Sequence, residues 1–153
     1  MSFNFDAGAC NLLIKQPFDF LEYTIRQHES NPKLLVLHHP PKIDFNGLTW
    51  VSLNMESTAK LQSVLKGRNV IGIFSGHIHI NRVSQWHGIP IYISNGLHSS
   101  IDVLETEDLR IVEGSSFSIC VWRKSGLSIT YVPVNPEQRE LGIIDQKRVR
   151  DFS

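Results

Sequence analysis

The sequence predicts an α/β (α+β) fold: one mixed sheet with its helices on one face. Three observations carry this. The first half reads as helix, apolar strand, helix, apolar strand. From Ile80 the texture changes to short alternating runs of the kind that form antiparallel sheet. Pro and Gly residues fall singly between these segments, with no internal repeat or low-complexity stretch, so a single unit over residues 1–135 with a polar tail over 136–153 is expected.

Phe18, Leu21 and Ile25 step at helical spacing behind Pro17, which predicts a helix over about 17–29. Lys33 to His38 is a continuous apolar run closed by Pro40-Pro41, the pattern of a strand buried on both faces. Met55 to Lys66 places Thr58, Leu61 and Leu65 on one side of a helix, with Asn54 as its cap and Gly67 as its stop. Asn69 to Ser75 is a second buried strand, and strand-helix-strand order predicts a parallel pair joined by a right-handed crossover. Arg82 to Trp86, Ile89 to Ser94, Phe117 to Arg123 and Leu127 to Pro133 alternate as half-buried strands, the last two joined as a hairpin at Ser125-Gly126. The stretch from Asn95 to Ser116, carrying Gly96 and Gly114, reads as a long loop, and the tail from Pro136 as a surface segment.

Composition removes several functions. The 153 residues carry 15 basic and 15 acidic side chains, so the phosphate-neutralising surface of a nucleic-acid binder is not expected. The apolar runs Leu34–Leu37 and Val70–Phe74 are far too short to span a bilayer, and the first residues have neither a basic stretch nor an apolar core. A cytoplasmic protein without membrane contact is the expectation. Cys10 and Cys120 lack metal-type spacing and read as reduced packing residues.

Four of the seven histidines lie in two clusters, His38-His39 and His77-Ile78-His79, each directly after one of the two apolar strands. In open sheets built from such units, sites form outside the carboxyl ends of adjacent strands, so the clusters should converge. Neutral imidazole is the commonest protein metal ligand, and Gly76 should let the chain turn sharply before His77. Metal binding is therefore the expected chemistry. His28, at a helix end, and His87, in the turn before Gly88, receive no role. His98 opens the long loop, from which it can either reach the same crevice or stand exposed as loop histidines often do.

The segments Leu35-Val36-Leu37-His38-His39-Pro40-Pro41, Gly76-His77-Ile78-His79 and Gly88-Ile89-Pro90-Ile91, within a stretch from about Phe5 to Val134, resemble the calcineurin-like metallophosphoesterases. Within that family they look like the cyclic-nucleotide phosphodiesterase and glycerophosphodiesterase branch. The resemblance implies the C-terminal half of a four-layer αββα sandwich that hydrolyses phosphodiesters by metal-hydroxide attack. It implies two divalent ions (Mn, Fe, Zn or Co) in the intact site, with His38 and His77 on one and His79 on the other. It also implies His39 and His98 as catalytic residues, His39 at or directly behind the metal ligands and His98 on a loop that approaches the substrate phosphate, and a small-molecule phosphate ester as substrate.

The family's Asp-x-His, Gly-Asp and Gly-Asn-His motifs do not occur in this sequence, and Asp6 does not replace them. Two adjacent cations repel unless an anionic ligand bridges them, so three neutral imidazoles should hold at most one ion. The chain alone is expected to be incomplete for catalysis. A sheet face carrying Phe117, Ile119, Val121, Ile89, Ile91 and Ile93 should lack its cover, which predicts self-association or a partner chain. Two other readings follow from the same residues: a non-catalytic module binding a metal, a phosphate or a partner, and half of a split enzyme completed in trans.

Overall fold

Phe18, Leu21 and Ile25 do recur on one side of a helix, α1 (Lys15–Gln27), which begins and ends two residues before the expected bounds. The computed structural model describes residues 15–46, 49–134, 140–145 and 147. Phe5, Asp6, Cys10 and most of the polar tail lie outside the described residues. Pro17 stands in the first turn of α1, where a missing N–H removes no helical hydrogen bond. The chain then runs through β1 (Lys33–Val36), a single 3-10 turn at Thr49–Val51, α2 (Met55–Leu65) and β2 (Val70–Ser75). The Asn54 side chain caps α2, accepting from the Ser57 amide at 2.8 Å, and Gly67 follows the helix with φ +70°.

The strands β1 and β2 pair in parallel, with Leu35 opposite Ile73 and Val36 opposite Phe74. Next come β3 (Arg82–Trp86) and β4 (Ile89–Ile93), a hairpin whose two turn residues, His87 and Gly88, have φ values of 48° and 83°. Two left-handed turn residues match the right-handed twist of the strands they join. Because β4 also pairs in parallel with β2, the sheet order is β1-β2-β4-β3.

Both helices bury their apolar sides on one face of this sheet. Phe18, Leu61, Ile73 and Ile91 are all at most 1% exposed there. The other face carries Leu34, Val36, Phe74 and Tyr92, whose rings stack at 5.4 Å between centroids. Gly72 lies beneath them, where a Cβ would come within 3.2 Å of Leu34 and 3.3 Å of Tyr92. Val36 is exposed, so β1 is not buried on both faces as its continuous apolar run suggested. The helices cover only one side of the sheet. The same alternation corrects the expected bare face: Ile91 and Ile93 are buried and Ile89 packs on the same core. The less covered residues are Val36, Phe74 and Tyr92.

Strands also occupy segments expected to be loop and tail. The long stretch after Asn95 contains β5 (Ser99–Ile101) and β6 (Asp108–Glu113), and the tail supplies β9 (Glu140–Asp145), giving a sheet ordered β5-β6-β9. Arg110 on β6 donates to Asp102 at 2.7 Å and to Glu140 at 2.8 Å, tying three chain segments together. Between them, β7 (Ser116–Arg123) and β8 (Gly126–Pro133) form the expected hairpin, with the turn one residue earlier, at Lys124-Ser125. Phe117, Ile119 and Val121 are exposed, as expected for an uncovered face. Cys120 is exposed rather than packed; among the described residues β7 pairs only with β8. No helix among the described residues is long and apolar enough to cross a membrane.

Candidate metal centre

Both histidine clusters begin where a parallel strand ends. The Leu37 amide donates to Phe74 O at 2.9 Å and the Gly76 amide to His38 O at 3.1 Å, so the last rungs of the β1–β2 ladder carry the two turns side by side. Beyond β2 the Ile78 amide donates back to Gly76 O at 2.8 Å, closing a three-residue turn centred on His77. His77 has φ 69° and His79 φ 51°, while Gly76 is not among the positive-φ glycines. The histidines themselves therefore adopt the left-handed conformation expected to require the glycine. For a side chain with a Cβ this is strained, and such strain persists where the surrounding structure imposes it. The His77 turn resembles the rare γ-turn class.

The consequence is convergence. His38, His39 and His77 each offer a ring nitrogen, and these nitrogens lie within 4.8 Å of one another. His38 Nε2 and His77 Nδ1 are 3.1 Å apart. His39 is buried, and its ring centroid stands 3.9 Å from that of His77 and 4.8 Å from that of His38. The 3-10 turn supplies a residue that sequence reasoning did not single out, Trp50. Its carbonyl accepts the His77 Nε2 proton at 2.7 Å, and its ring meets His77 edge-on at 5.5 Å. A carbonyl only accepts, so His77 keeps its proton on Nε2 and presents the Nδ1 lone pair to His38. Backbone carbonyls carry no residue-type signal, which is why spacing could not find this contact.

Burial, the neighbouring imidazole of His39 and those of His38 and His79 push the His77 pKa down to about 4, against the opposing Trp50 hydrogen bond. The neutral ring is the metal-ligating form. The donor geometry also fits one ion: two nitrogens, each about 2.0–2.1 Å from a tetrahedral zinc, stand about 3.3–3.4 Å apart, close to the distance between His38 and His77. Among the described residues the group contains no carboxylate.

The other expected site residues stand apart from this group. His79 is half-buried and turns its Nδ1 toward Ser99, 3.0 Å from both Ser99 O and Ser99 Oγ. His98 is exposed in the bend before β5. His28 and His87 are exposed, the latter with Nδ1 3.2 Å from Gln62 Nε2. Beside the centre lies a cavity of about 190 Å³, walled by Trp50, Ile78 and Ile80 with Arg82, Asp102 and Asp108 at its polar side.

No protein-family model matches the chain. Over 96 residues it is 27% identical to a probable cyclic nucleotide phosphodiesterase of Rhodococcus erythropolis, covering 63% of this chain and 30% of that protein. Over 83 residues it is 29% identical to a cAMP/cGMP dual specificity phosphodiesterase of Mycobacterium tuberculosis, covering 54% of this chain and 24% of that protein. The chain thus spans less than a third of the length of the curated relatives it matches. Among solved structures it is similar to a zinc-complexed Vps29 of Entamoeba histolytica at a TM-score of 0.37 and 13% identity, covering 95% and 94% of the two chains.

Proposed function

We propose that this chain supplies the histidine part of a metal-dependent phosphodiesterase site, as the C-terminal portion of a metallophosphoesterase fold. The observation that carries the reading is the meeting of His38, His39 and His77 at the ends of β1 and β2, with two ring nitrogens 3.1 Å apart. The distant likeness to proteins named as cyclic nucleotide phosphodiesterases supports it.

In this reading His38 and His77 hold one divalent ion, while His79 belongs to the position of a second. A divalent ion there supplies Lewis acidity toward a phosphoryl oxygen. The chain's own contribution is to fix the ligands: Trp50 O sets the His77 tautomer, and the paired strand ends set the spacing of the clusters. His39 stands with the metal ligands, and His98 is the residue assigned to the substrate phosphate. The cavity beside Trp50 has room for a substituent of the ester. Of manganese, iron, zinc and cobalt, the all-imidazole group favours zinc or iron over manganese.

A second reading is favoured by the absence of any carboxylate in the histidine group among the described residues. Without a bridging anion a pair of cations is unstable, and the chain then serves as a metal- or phosphate-binding module, or as a partner-binding one. Completion in trans by a second polypeptide unites the two readings.

One preparation distinguishes them. Metal content after zinc or manganese loading is expected to reach at most one ion per chain and to vanish in a His38→Ala, His77→Ala, His79→Ala triple variant. A chromogenic phosphodiester is expected to remain intact with the chain alone. Equal metal content in the wild type and the triple variant removes the metal reading. Turnover by the bare chain, lost in His77→Ala, shows instead that the site is complete as it stands.

A further inference from the structure

His77 and His79 are two residues apart, both in left-handed backbone, yet their rings are gripped from opposite nitrogens. His77 gives its Nε2 proton to Trp50 O. His79 has Nδ1 at 3.0 Å from Ser99 O, and since a carbonyl cannot donate, the proton must sit on Nδ1. The Ser99 hydroxyl, also at 3.0 Å, can share that proton as a second acceptor.

The ring is also pinned from its face. A Cβ built on Gly96 would stand 2.7 Å from His79 Nδ1, 2.8 Å from Cε1 and 3.1 Å from Cγ, closer than real Cβ contacts permit. Nor can His79 retreat as a flexible chain end would. Its carbonyl accepts from the Ile101 amide at 3.0 Å and from Ser100 Oγ at 3.2 Å. Gly96 is itself tied down, since its carbonyl accepts from the Ser116 amide at 3.3 Å. The strap from Gly96 to Ile101 therefore holds His79 by backbone and by ring face together.

We infer that Gly96 and Ser99 are positioning residues for His79: the bare Gly96 backbone and the Ser99 carbonyl lock the ring as the Nδ1–H tautomer, so that Nε2 alone keeps a lone pair for a ligand. Neighbouring histidines of one turn thus keep their lone pairs on opposite nitrogens, Nδ1 of His77 and Nε2 of His79. The metal part of this inference rests on the proposed function. The tautomer part does not.

The test uses the full chain, labelled with 15N-histidine. Long-range 1H–15N spectra of the metal-free protein at about pH 8, where imidazoles are neutral, should show His79 as a pure Nδ1–H tautomer and His77 as a pure Nε2–H tautomer. Gly96→Ala should convert His79 to a mixed tautomer signal while His77 keeps its own. Ser99→Ala, which retains the carbonyl, should leave His79 unchanged. On zinc addition, with at most one ion expected per chain, the His77 Nδ1 resonance should shift in the wild type, and Gly96→Ala should leave that shift in place.

An Nε2–H or averaged His79 signal in the wild type overturns the inference even if Gly96→Ala fails to fold. So does a Gly96→Ala spectrum identical to that of the wild type. If zinc moves no histidine resonance, the metal reading fails, and the tautomer signals still decide the positioning claim.

Discussion

The β2–β4 pair and the β7–β8 pair have similar apolar alternation and opposite fates. Ile73 and Ile91 face the two helices and are 0% exposed, whereas Phe117, Ile119 and Trp122 on the ribbon are 45%, 47% and 46% exposed. The difference lies in what packs on them. Alternation chooses which residues share a face, but a strand becomes core only when a second layer covers that face. The histidines of the candidate centre stand at the ends of the covered strands, so the strain at His77 and His79 is borne by the better packed half.

This contrast is sharpest under substitution. Ile73→Ala should destabilise the chain by about 2–5 kcal/mol, since it empties a fully buried position of the helix-facing core. Urea denaturation measures this, and a loss below 1 kcal/mol would show that the sheet-helix layer is not the principal core. Acid should produce the next effect. The folded pKa of His77, about 4, lies below the usual 6.5, so the unfolded chain takes up a proton first as pH falls. Stability is therefore undiminished above about 6.5, declines between there and about 4, and is flat below that for this group. The loss is on the order of 2 kcal/mol after allowance for solvent screening. Melting curves across this range should show the decline in wild type and a smaller one in His77→Gln.

Smaller still is Asn54→Ala, which removes the cap of α2 and should cost about 1 kcal/mol. The smallest effect is expected on the ribbon: Ile119→Ser should shift stability by no more than about 0.5 kcal/mol. If self-association or a partner chain covers this face, as the reading above expects, the same substitution should change the native mass or the partner's affinity and not the unfolding midpoint. A large stability loss in the isolated chain would mean that the ribbon already packs as core.

Much of this architecture was legible in the residues. The Asn54 cap, the Thr58, Leu61 and Leu65 side of α2, the parallel β1–β2 pair and the β7–β8 hairpin all follow from local spacing and turn chemistry. The histidine pairs stood out because they follow apolar strands directly, and three of those rings do meet. What escaped was non-local. Strand β9 pairs with β6 across a long stretch of chain, Arg110 opposite Ile143 for example, and no local pattern announces a partner so distant. The face assignment of Ile89, Ile91 and Ile93 failed for a related reason: alternation separates two faces without saying which one the helices will cover.

The sequence by itself determined which side chains could serve as ligands and that two clusters of them would end neighbouring strands, because strand periodicity and Pro and Gly punctuation act over a few residues. Only the tertiary structure decided which ring nitrogen each histidine presents. That choice belongs to the carbonyls of Trp50 and Ser99 and to the bare backbone of Gly96. These groups reach the rings only after distant segments have packed, and a main-chain carbonyl is the same in every residue.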